Sequence, residues 1–255
     1  MNKTVRLTVD EVQRAAEILR GGGTVAFPTE TVYGLGANAL NAEAVEKIFV
    51  AKERPHWDPL IVHVADVAMA KTVAELSPLA EQLAERFWPG PLTLLLPRKD
   101  CVPDAVTAGR SLVGVRVPGH PLALELLRAA AIPIAAPSAN RFGHTSPTTA
   151  AHVLEDLDGR IDTVLDGGAC HVGVESTVVD LSQDPMVIYR PGAVTAAMLA
   201  EFGTVTLYKA PRETKERSRE LQESLPAPGV GLRHYAPRAR MVLVERGSNE
   251  NLQEF

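Results

Sequence analysis

The sequence predicts an α/β protein built on one open sheet of mixed strand direction. Apolar stretches typical of buried strands alternate with stretches of helical periodicity, and in several places two strands follow each other directly. Parallel neighbours need a long crossover between them, so direct strand-to-strand connections indicate antiparallel pairs within the sheet. With 255 residues, of which 45% are hydrophobic and 5% aromatic, the chain can bury one large, mainly aliphatic core.

The amino-terminal half supplies the first helices and strands. Residues 10–19 have helical spacing and end at three glycines, after which Thr24–Phe27 is predicted as a buried strand. Pro28 is expected to stop the pairing of that strand, because it has no N–H to donate. The other elements predicted here are a helix over 42–50, a strand over 60–64, a helix over 77–87 and a strand over 92–96.

The carboxyl-terminal half continues the alternation and then changes composition. Residues 209–228 are charged, flanked by prolines and poor in apolar residues, which is typical of a linker, and 241–244 again has the pattern of a strand. Before the linker, the predicted elements are strands over 113–117, 132–136, 163–165, 177–181 and 187–189, and helices over 122–131, 149–157 and 195–201.

Composition excludes several classes of protein. The net charge of −5 argues against holding polyanions by bulk electrostatics, so contact with a nucleotide or RNA would need a local basic cluster. Cys101 and Cys170 form no CxxC pair, which indicates free thiols in a reducing compartment. No stretch approaches 18 apolar residues and no secretory signal is evident, so we expect a cytoplasmic protein with no membrane contact.

The segment Phe27–Gly36 (FPTETVYGLG) is the most informative in the chain. A Thr-Glu-Thr triplet directly follows a buried strand, and two glycines then allow close backbone approach. Hydroxyls and a carboxylate at the end of a strand suit a small polar ligand. The alternative is a strand, a tight turn and a helix capped by Thr31, and the segment alone favours neither.

Polar side chains recur within or directly after the predicted strands. Because strand ends that share one edge of a sheet lie close together, these side chains are expected to converge on a single cleft. Arg116, between Val115 and Val117, needs an anionic or accepting partner if it is buried, which favours a ligand-facing role. The recurring residues are Thr31, His63, Arg116, Ser138, Asn140, Ser176 and Arg190.

Lys52 and Arg54 are candidates for binding a triphosphate, since they offer a point charge and a planar fork at a predicted helix end. Each candidate has a plainer interpretation, however. Lys-Glu-Arg is common at solvated helix ends, Ser138-Ala139-Asn140 could be a simple turn, and His63 could be a core histidine. No GxxxxGK[ST] loop is present, so an ATP site here would differ from the P-loop type.

The histidines show no metal-ligand spacing, the acidic residues form no paired-carboxylate signature, and no GxSxG motif is present. No protein metal site is therefore predicted. Any magnesium would be carried by phosphates and would keep most of its own waters.

Taken together, the motifs resemble those of the YrdC family, the L-threonylcarbamoyladenylate synthases. A single Lys-x-Arg pattern is weak evidence for this family, whereas the whole series of motifs in this order is specific to it. Pro228-Gly229 and the later Arg233–Pro237 are similar to the linker of the long, two-domain members. The matching segments are Pro28–Leu35, Lys52–Pro55, Trp88–Thr93, Val115–Pro118, Pro137–Asn140, Ser146–Thr148, Glu175–Asp180 and Arg190–Gly192.

The resemblance implies a YrdC-like twisted open mixed sheet, flanked by helices, with a large concave active-site cleft. It also implies three regions: a catalytic domain over 1–206, a linker over 207–240 that folds back over the cleft, and the start of a truncated C-terminal domain over 241–255.

The implied reaction joins L-threonine, bicarbonate and ATP into threonylcarbamoyl-AMP and pyrophosphate, with Mg²⁺ carried on the ATP phosphates. The product would pass to a tRNA threonylcarbamoyl transferase, with at most a weak contact to tRNA itself. Lys52 and Arg54 would be catalytic. By resemblance, L-threonine would be held by Thr31, His63, Arg116, Ser138 and Ser176, and ATP by Lys52, Arg54, Asp58, Asn140, Ser146, Arg190, His234 and Tyr235.

Two alternatives stay open at this point. A carbamoyl-adenylate-forming domain of the kind used in hydrogenase maturation would share the fold, but it is normally accompanied by cysteine pairs, which this sequence lacks. A non-catalytic RNA-binding module is disfavoured by the acidic net charge and by the scarcity of aromatic residues among the basic ones.

Overall fold

The computed structural model of the protein describes residues 3–209 and 226–227. Within them, one mixed sheet of eleven strands is flanked by helices, as predicted. The strands are β1 (Val5–Leu7), β2 (Val25–Pro28), β3 (Tyr33–Asn38), β4 (Ile61–His63), β5 (Leu92–Pro97), β6 (Leu112–Arg116), β7 (Ile134–Ala135), β8 (Thr163–Leu165), β9 (Thr177–Asp180), β10 (Met186–Arg190) and β11 (Val205–Leu207).

The sheet mixes both strand directions, in the order β1-β8-β2-β3-β7-β4-β6-β5-β9-β10-β11. The central pairs β2–β3, β3–β7, β7–β4 and β6–β5 are antiparallel, whereas β4–β6 and β5–β9 are parallel. Predicted strands that follow each other directly in the sequence, such as β9 and β10, form antiparallel neighbours, which is the reason the sequence predicted a mixed sheet.

The six predicted helices are present and each begins within two residues of its predicted start, whereas two short helices, over 67–73 and 104–107, were not predicted. Ser77 and Thr149 accept hydrogen bonds from the first turns of their helices, and Pro78 occupies the first helical position of the former. A short 3-10 turn (Val9–Glu11) precedes α1. The helices are α1 (Val12–Arg20), α2 (Ala42–Lys52), α3 (Val67–Val73), α4 (Pro78–Phe87), α5 (Asp104–Thr107), α6 (Pro121–Ala130), α7 (Ala150–Leu157) and α8 (Ala196–Leu199). No described helix is long and apolar enough to cross a membrane.

The hairpin of β2 and β3 bears on two expectations. Pairing of β2 ends at Pro28, as expected, although Pro28 is itself the last residue of the strand and lies opposite Tyr33. The segment after the Thr-Glu-Thr turn is a strand and not a helix. Strand β3 was not predicted because Gly34 and Gly36 have a low intrinsic preference for strands.

The face of the sheet that carries the cleft is divided into a polar and an apolar part. Residues two apart on a strand point to the same face, so Ile61 and His63 of β4 share it. His63 lies in the polar part. The apolar part consists of Ile61, Leu95 and Val178, and the fully buried Ala227 belongs to the same hydrophobic cluster. A residue of the predicted linker therefore lies beside the cleft.

Candidate active site

A cleft opens where the predicted site residues meet. They come from β4, β6, β9 and β10 and from the loops that follow β2, α2 and β7, so the expected convergence of strand ends is observed. Nine predicted residues line this cleft, namely Thr31, Lys52, Arg54, His63, Arg116, Ser138, Asn140, Ser176 and Arg190.

Arg116 is buried on the floor of the cleft and is held from three sides. Its Nε donates to the Gly90 carbonyl oxygen at 3.2 Å, and both terminal nitrogens donate to Thr31 Oγ1 at 3.1 Å. Nη2 also lies 2.7 Å from Glu30 Oε1. Of the five guanidinium N–H bonds, these contacts leave one on Nη1 for a ligand.

Glu30 belongs to the Thr-Glu-Thr triplet, but it was not predicted as a site residue. Its carboxylate is 13% exposed and forms an ion pair with Arg116. The anionic partner that Arg116 needs is thus supplied by the protein. A glutamate between two threonines gives no local sign of an arginine 86 positions later, so only the fold reveals this pairing.

His63 lies beside Arg116, because the two residues are in register across the parallel pair β4–β6. Burial, reinforced by the charge of Arg116, lowers the pKa of His63 to about 3, so the ring is neutral at pH 7. Its Nδ1 is buried and has no hydrogen-bond partner among the described residues. A buried polar atom without a partner is costly, which argues against a satisfied core histidine and for contact with a ligand.

The Lys52-Glu53-Arg54 turn points two cations into the cleft. Glu53 has left-handed backbone angles (φ 54°, ψ 38°) and ends α2, which turns the chain so that Lys52 and Arg54 both face inward. Its own side chain faces outward and pairs with Arg141 and Arg160. The plainer interpretation of a solvated helix end is therefore wrong for Lys52 and Arg54, which are 1% and 8% exposed.

Lys52 is a buried ammonium group held by backbone oxygens. Its Nζ donates to the carbonyl oxygens of Ser138, at 2.5 Å, and of Asn140. Burial and the neighbouring charge of Arg54 lower the pKa of Lys52 to about 7. An anion placed near Nζ would restore the charged form, so the group is suited to bind phosphate.

Arg54 is anchored by the segment that follows it. Its guanidinium donates to the carbonyl oxygens of Asp58 and Pro59 at 3.1 and 2.8 Å, and lies 3.0 Å from Asp58 Oδ2. Asp58, which was predicted to bind ATP, is fully buried behind Arg54 and does not line the cleft. Its position suits orienting Arg54.

The loop after β7 carries Ser138 and Asn140. The amide nitrogen of Asn140 donates to the carbonyl oxygens of Arg141 and His144 at 2.8 and 2.9 Å, which fixes the turn. Its Oδ1 is buried without a hydrogen-bond partner among the described residues, so it can accept from a ligand. A simple turn would account for the two hydrogen bonds that the Asn140 side chain donates, but not for its buried Oδ1 atom without a partner.

Ser176 and Arg190 form the far wall of the cleft. Arg190 donates from Nε to the Ser176 carbonyl oxygen at 2.9 Å and from Nη2 to Ser176 Oγ at 3.0 Å. The Ser176 hydroxyl also lies 2.8 Å from Thr93 Oγ1. A Cβ atom on Gly192 would lie 2.4 Å from the Glu175 carbonyl oxygen, so only glycine allows this close approach.

Ser146 lies at the edge of the cleft and lines an adjoining open groove. Its hydroxyl donates to Glu175 Oε1 at 2.7 Å, and Glu175 Oε2 is 4.0 Å from Arg190 Nη2. Glu175 and His144 line the cleft but were not predicted as site residues. His144 is held through Nδ1 by Asp156 at 3.0 Å, a contact that no local sequence pattern predicts.

His234 and Tyr235, the remaining two predicted ATP-binding residues, lie outside the described residues. Within the described ranges, no group of three or more His, Cys, Asp or Glu side chains could hold a metal ion. The charged side chains that line the cleft are instead mainly cationic, namely Lys52, Arg54, Arg116 and Arg190 against Glu175, with amide and hydroxyl groups between them. This arrangement suits a ligand with several negative charges.

Comparison with known proteins places the chain in a family. The Sua5/YciO/YrdC family model, described as "Telomere recombination", matches residues 17–192, and a "Threonylcarbamoyl-AMP synthase, C-terminal domain" model matches 194–254. The threonylcarbamoyl-AMP synthase of Pyrococcus abyssi is 45% identical over 96% of this chain and 71% of its own length. The one from Bacillus subtilis is 47% identical, with coverage of 96% and 69%.

A solved structure agrees with the sequence relatives. The crystal structure of P. abyssi Sua5 complexed with L-threonine has a TM-score of 0.83 and 44% identity, and the match covers 92% of this chain and 69% of that one. The fold and the cleft define a protein of the YrdC-like class. The chain belongs to the Sua5/YciO/YrdC family.

Proposed function

We propose that the protein is an L-threonylcarbamoyl-AMP synthase, which makes threonylcarbamoyl-AMP and pyrophosphate from L-threonine, bicarbonate and ATP. The observation that carries the proposal is the single cleft lined by nine residues for which the family's motifs imply substrate contacts. Family membership and the names of the relatives support the same activity. The product would serve N6-threonylcarbamoyladenosine formation in tRNA, through a downstream tRNA threonylcarbamoyl transferase.

L-threonine is assigned to the floor of the cleft, between Thr31, His63, Arg116, Ser138 and Ser176. Glu30 already compensates the charge of Arg116, so Arg116 meets the threonine carboxylate chiefly as a hydrogen-bond donor through its remaining Nη1–H. The unpartnered His63 Nδ1 offers a second polar contact in the same place. Ligand binding would then satisfy groups that the protein alone leaves without partners.

ATP is assigned to the cationic part of the cleft. Lys52, Arg54 and Arg190 surround the space where a triphosphate would lie, and the Asn140 amide and the Ser146 hydroxyl add polar contacts at its edge. His234 and Tyr235 are retained in this assignment as proposals. Mg²⁺ would arrive bound to the phosphates and keep most of its waters.

In the proposed reaction, threonine and bicarbonate first form a carbamate. A carbamate oxygen then attacks the α-phosphorus, a new O–P bond forms and the bond to the leaving pyrophosphate breaks. Lys52, Arg54 and Arg190 are fixed in place before the reaction by their hydrogen bonds to the protein, and they would stabilise the charge that develops on the phosphates. Fixed positions of this kind reduce the reorganisation needed during the reaction.

The linker over 207–240 is proposed to cross the cleft. Support comes from Ala227, which is fully buried in the same hydrophobic cluster as Ile61, a residue that also lines the cleft. Ile61 thus belongs both to the cluster that includes a linker residue and to the lining of the space assigned to substrate. The protein is proposed to act in the cytoplasm, where ATP and tRNA are available.

Pyrophosphate release tests the proposal directly. With threonine, bicarbonate and Mg-ATP together, we expect release and a threonylcarbamoyl-AMP mass; omission of any one substrate should abolish both. Lys52→Met should lose the activity, whereas Lys47→Met, which changes an exposed lysine on the same helix, should keep it. Pyrophosphate release without threonine, or without bicarbonate, would overturn the assignment.

A further inference from the structure

Glu175 is the only acidic residue that lines the cleft within the described part of the chain, and no role assigned so far uses it. A carboxylate weakens the attraction of a cationic cleft for anionic substrates, so its presence calls for a chemical reason. The side chain is 16% exposed and is held in place. The cations that line the same cleft are Lys52, Arg54, Arg116 and Arg190.

Glu175 lies between the two groups of residues assigned to substrates. Its Oε1 accepts a hydrogen bond from Ser146, which belongs to the ATP group, at 2.7 Å. The next residue in the chain is Ser176, which belongs to the threonine group. The carboxylate is therefore located where the threonine amine, bicarbonate and the α-phosphate would have to meet.

One oxygen of Glu175 has room for a further contact. Ser146 engages Oε1, whereas Oε2 lies 4.0 Å from Arg190 Nη2, a distance longer than a hydrogen bond. A carboxylate can accept about four hydrogen bonds through its two oxygens. Such a group suits an N–H donor, and an amine that must lose a proton is the donor required by the proposed reaction.

We propose that Glu175 accepts the proton of the threonine ammonium group, an inference that rests on the proposed function. At neutral pH, threonine arrives with a protonated amine, whose nitrogen has no lone pair with which to attack carbon. Transfer of one proton to Glu175 gives the free amine and a carboxylic acid. General base catalysis of this kind typically contributes a factor of roughly 10² to 10⁴ in rate.

The atoms and charges balance without another reagent. The free amine forms an N–C bond to the bicarbonate carbon, and a C–O bond breaks. The departing oxygen carries the bicarbonate hydrogen and takes one amine hydrogen, so that it leaves as water. The products are the carbamate anion, water and one proton on Glu175. This proton passes to solvent before the next turnover.

Several neighbouring groups carry charge or titrate near Glu175. Burial and the charge of Arg54 lower the pKa of Lys52, and the negative charge of Glu175 partly opposes that shift. Burial raises the pKa of Cys170 to about 11, and the charge of Glu175 acts in the same direction. The pKa of Lys52 is about 7, so Lys52 also titrates within the pH range over which the reaction rate is to be measured. A pH profile must therefore be compared between variants that keep Lys52. The other charged or titratable residues that line the cleft are Arg54, His63, Arg116, His144 and Arg190.

The test measures kcat for pyrophosphate release between about pH 6 and about pH 9.5, because the fraction of threonine that carries a free amine rises over this range. For Glu175→Gln we expect a fall of about 100-fold at pH 7 and a rise of about tenfold per pH unit as free amine accumulates. Glu175→Asp should be intermediate. ATP affinity by calorimetry should not fall, because the substitution removes a negative charge from the cleft, and Glu85→Gln, at an exposed glutamate on α4, should match the wild type throughout.

Two results would overturn the inference. If Glu175→Gln loses the same factor at every pH, the carboxylate does not take the amine proton. If the loss resides in ATP affinity instead, the carboxylate contacts the nucleotide, for example a ribose hydroxyl. Should Glu175→Gln fail to fold, the pH profile of Glu175→Asp decides between the same outcomes. A wild-type protein that releases no pyrophosphate contradicts the proposed function itself, which is a separate result.

Discussion

Arg116, which lines the cleft, forms a buried ion pair with Glu30, with 2.7 Å between Nη2 and Oε1. Their side chains are only 3% and 13% exposed. Glu30 comes from the loop between β2 and β3, whereas Arg116 ends β6, so the pair fixes this loop against a distant strand. The same guanidinium holds Thr31 through two hydrogen bonds, which makes the loop's geometry depend on one arginine.

Glu30→Gln should destabilise the fold by about 3 kcal/mol, because it leaves a buried guanidinium without its counter-charge while changing the shape of the side chain little. Equilibrium unfolding in urea measures this free energy. Glu81→Gln is the matched control, since it removes an ion pair with Lys71 in which both side chains are about half exposed. That change should cost less than about 1 kcal/mol. Equal effects of the two substitutions would contradict the assignment of Glu30.

ATP binding at about pH 8 should be accompanied by uptake of close to one proton. The pKa of Lys52 is lowered to about 7, so above that pH most molecules carry the neutral amine, and phosphate oxygens nearby would favour the ammonium form. Below pH 7 the group is already protonated, so uptake by Lys52 should disappear as the pH falls. Calorimetry in buffers of different ionisation enthalpy measures the proton number.

Lys47→Met should leave this proton uptake unchanged, because Lys47 is exposed on the same helix and donates to a backbone oxygen, Gly22 O. An uptake that is equally large at pH 6 and pH 8 would show that another group titrates on binding.

Arg54→Lys separates catalysis from stability better than removal of the side chain. Arg54→Ala would leave the fully buried Asp58 carboxylate without its cation, at a cost of about 3 to 5 kcal/mol. Lysine keeps the charge but loses the planar fork, so we expect kcat to fall by about 10- to 100-fold while unfolding changes by about 1 kcal/mol or less. Parallel measurement of kcat and of thermal unfolding decides this. An unchanged kcat would exclude Arg54 from transition-state contact.

His63→Leu should weaken threonine binding without destabilising the protein. Replacement of the buried, unpartnered Nδ1 by an apolar side chain removes an unsatisfied group, so the free energy of unfolding should stay level or rise. KM for threonine should increase about tenfold through loss of one hydrogen bond. KM for ATP should not change. A destabilised variant with a normal KM for threonine would return His63 to the role of a core histidine.

The sequence was most informative where a polar residue interrupts an apolar strand. Arg116 between valines predicted a buried cation with a partner, and the ends of β4, β6, β9 and β10 were located well enough to predict one cleft. These inferences depend on strand periodicity and on charge burial, which are local properties of the chain. The prediction of one cleft also depended on these residues sharing one edge of the sheet, which the topology decides and local sequence does not.

Partners across long sequence distances could not be predicted in the same way. The pairing of Glu30 with Arg116, the seating of Asp58 behind Arg54 and the approach of Glu175 to Ser146 all depend on three-dimensional register. Strand β3 was missed for a different reason: its two glycines lower local strand preference, and its pairing with β2 and β7 compensates for this.

Ala227→Asp should weaken the hold of the predicted linker on the catalytic domain and raise KM for ATP by several-fold. Ala227 is fully buried in a cluster with Ile61, Leu95 and Val178, and a carboxylate placed in that apolar cluster would lack a partner among these side chains. Because Ile61 also lines the cleft, a displaced linker would expose the space assigned to substrate. Stopped-flow measurement of ATP dissociation should show a faster rate, whereas Ala200→Asp, at an exposed position after α8, should leave it unchanged. If both variants release ATP at the wild-type rate, the linker does not help to retain the nucleotide, and the burial of Ala227 serves packing alone.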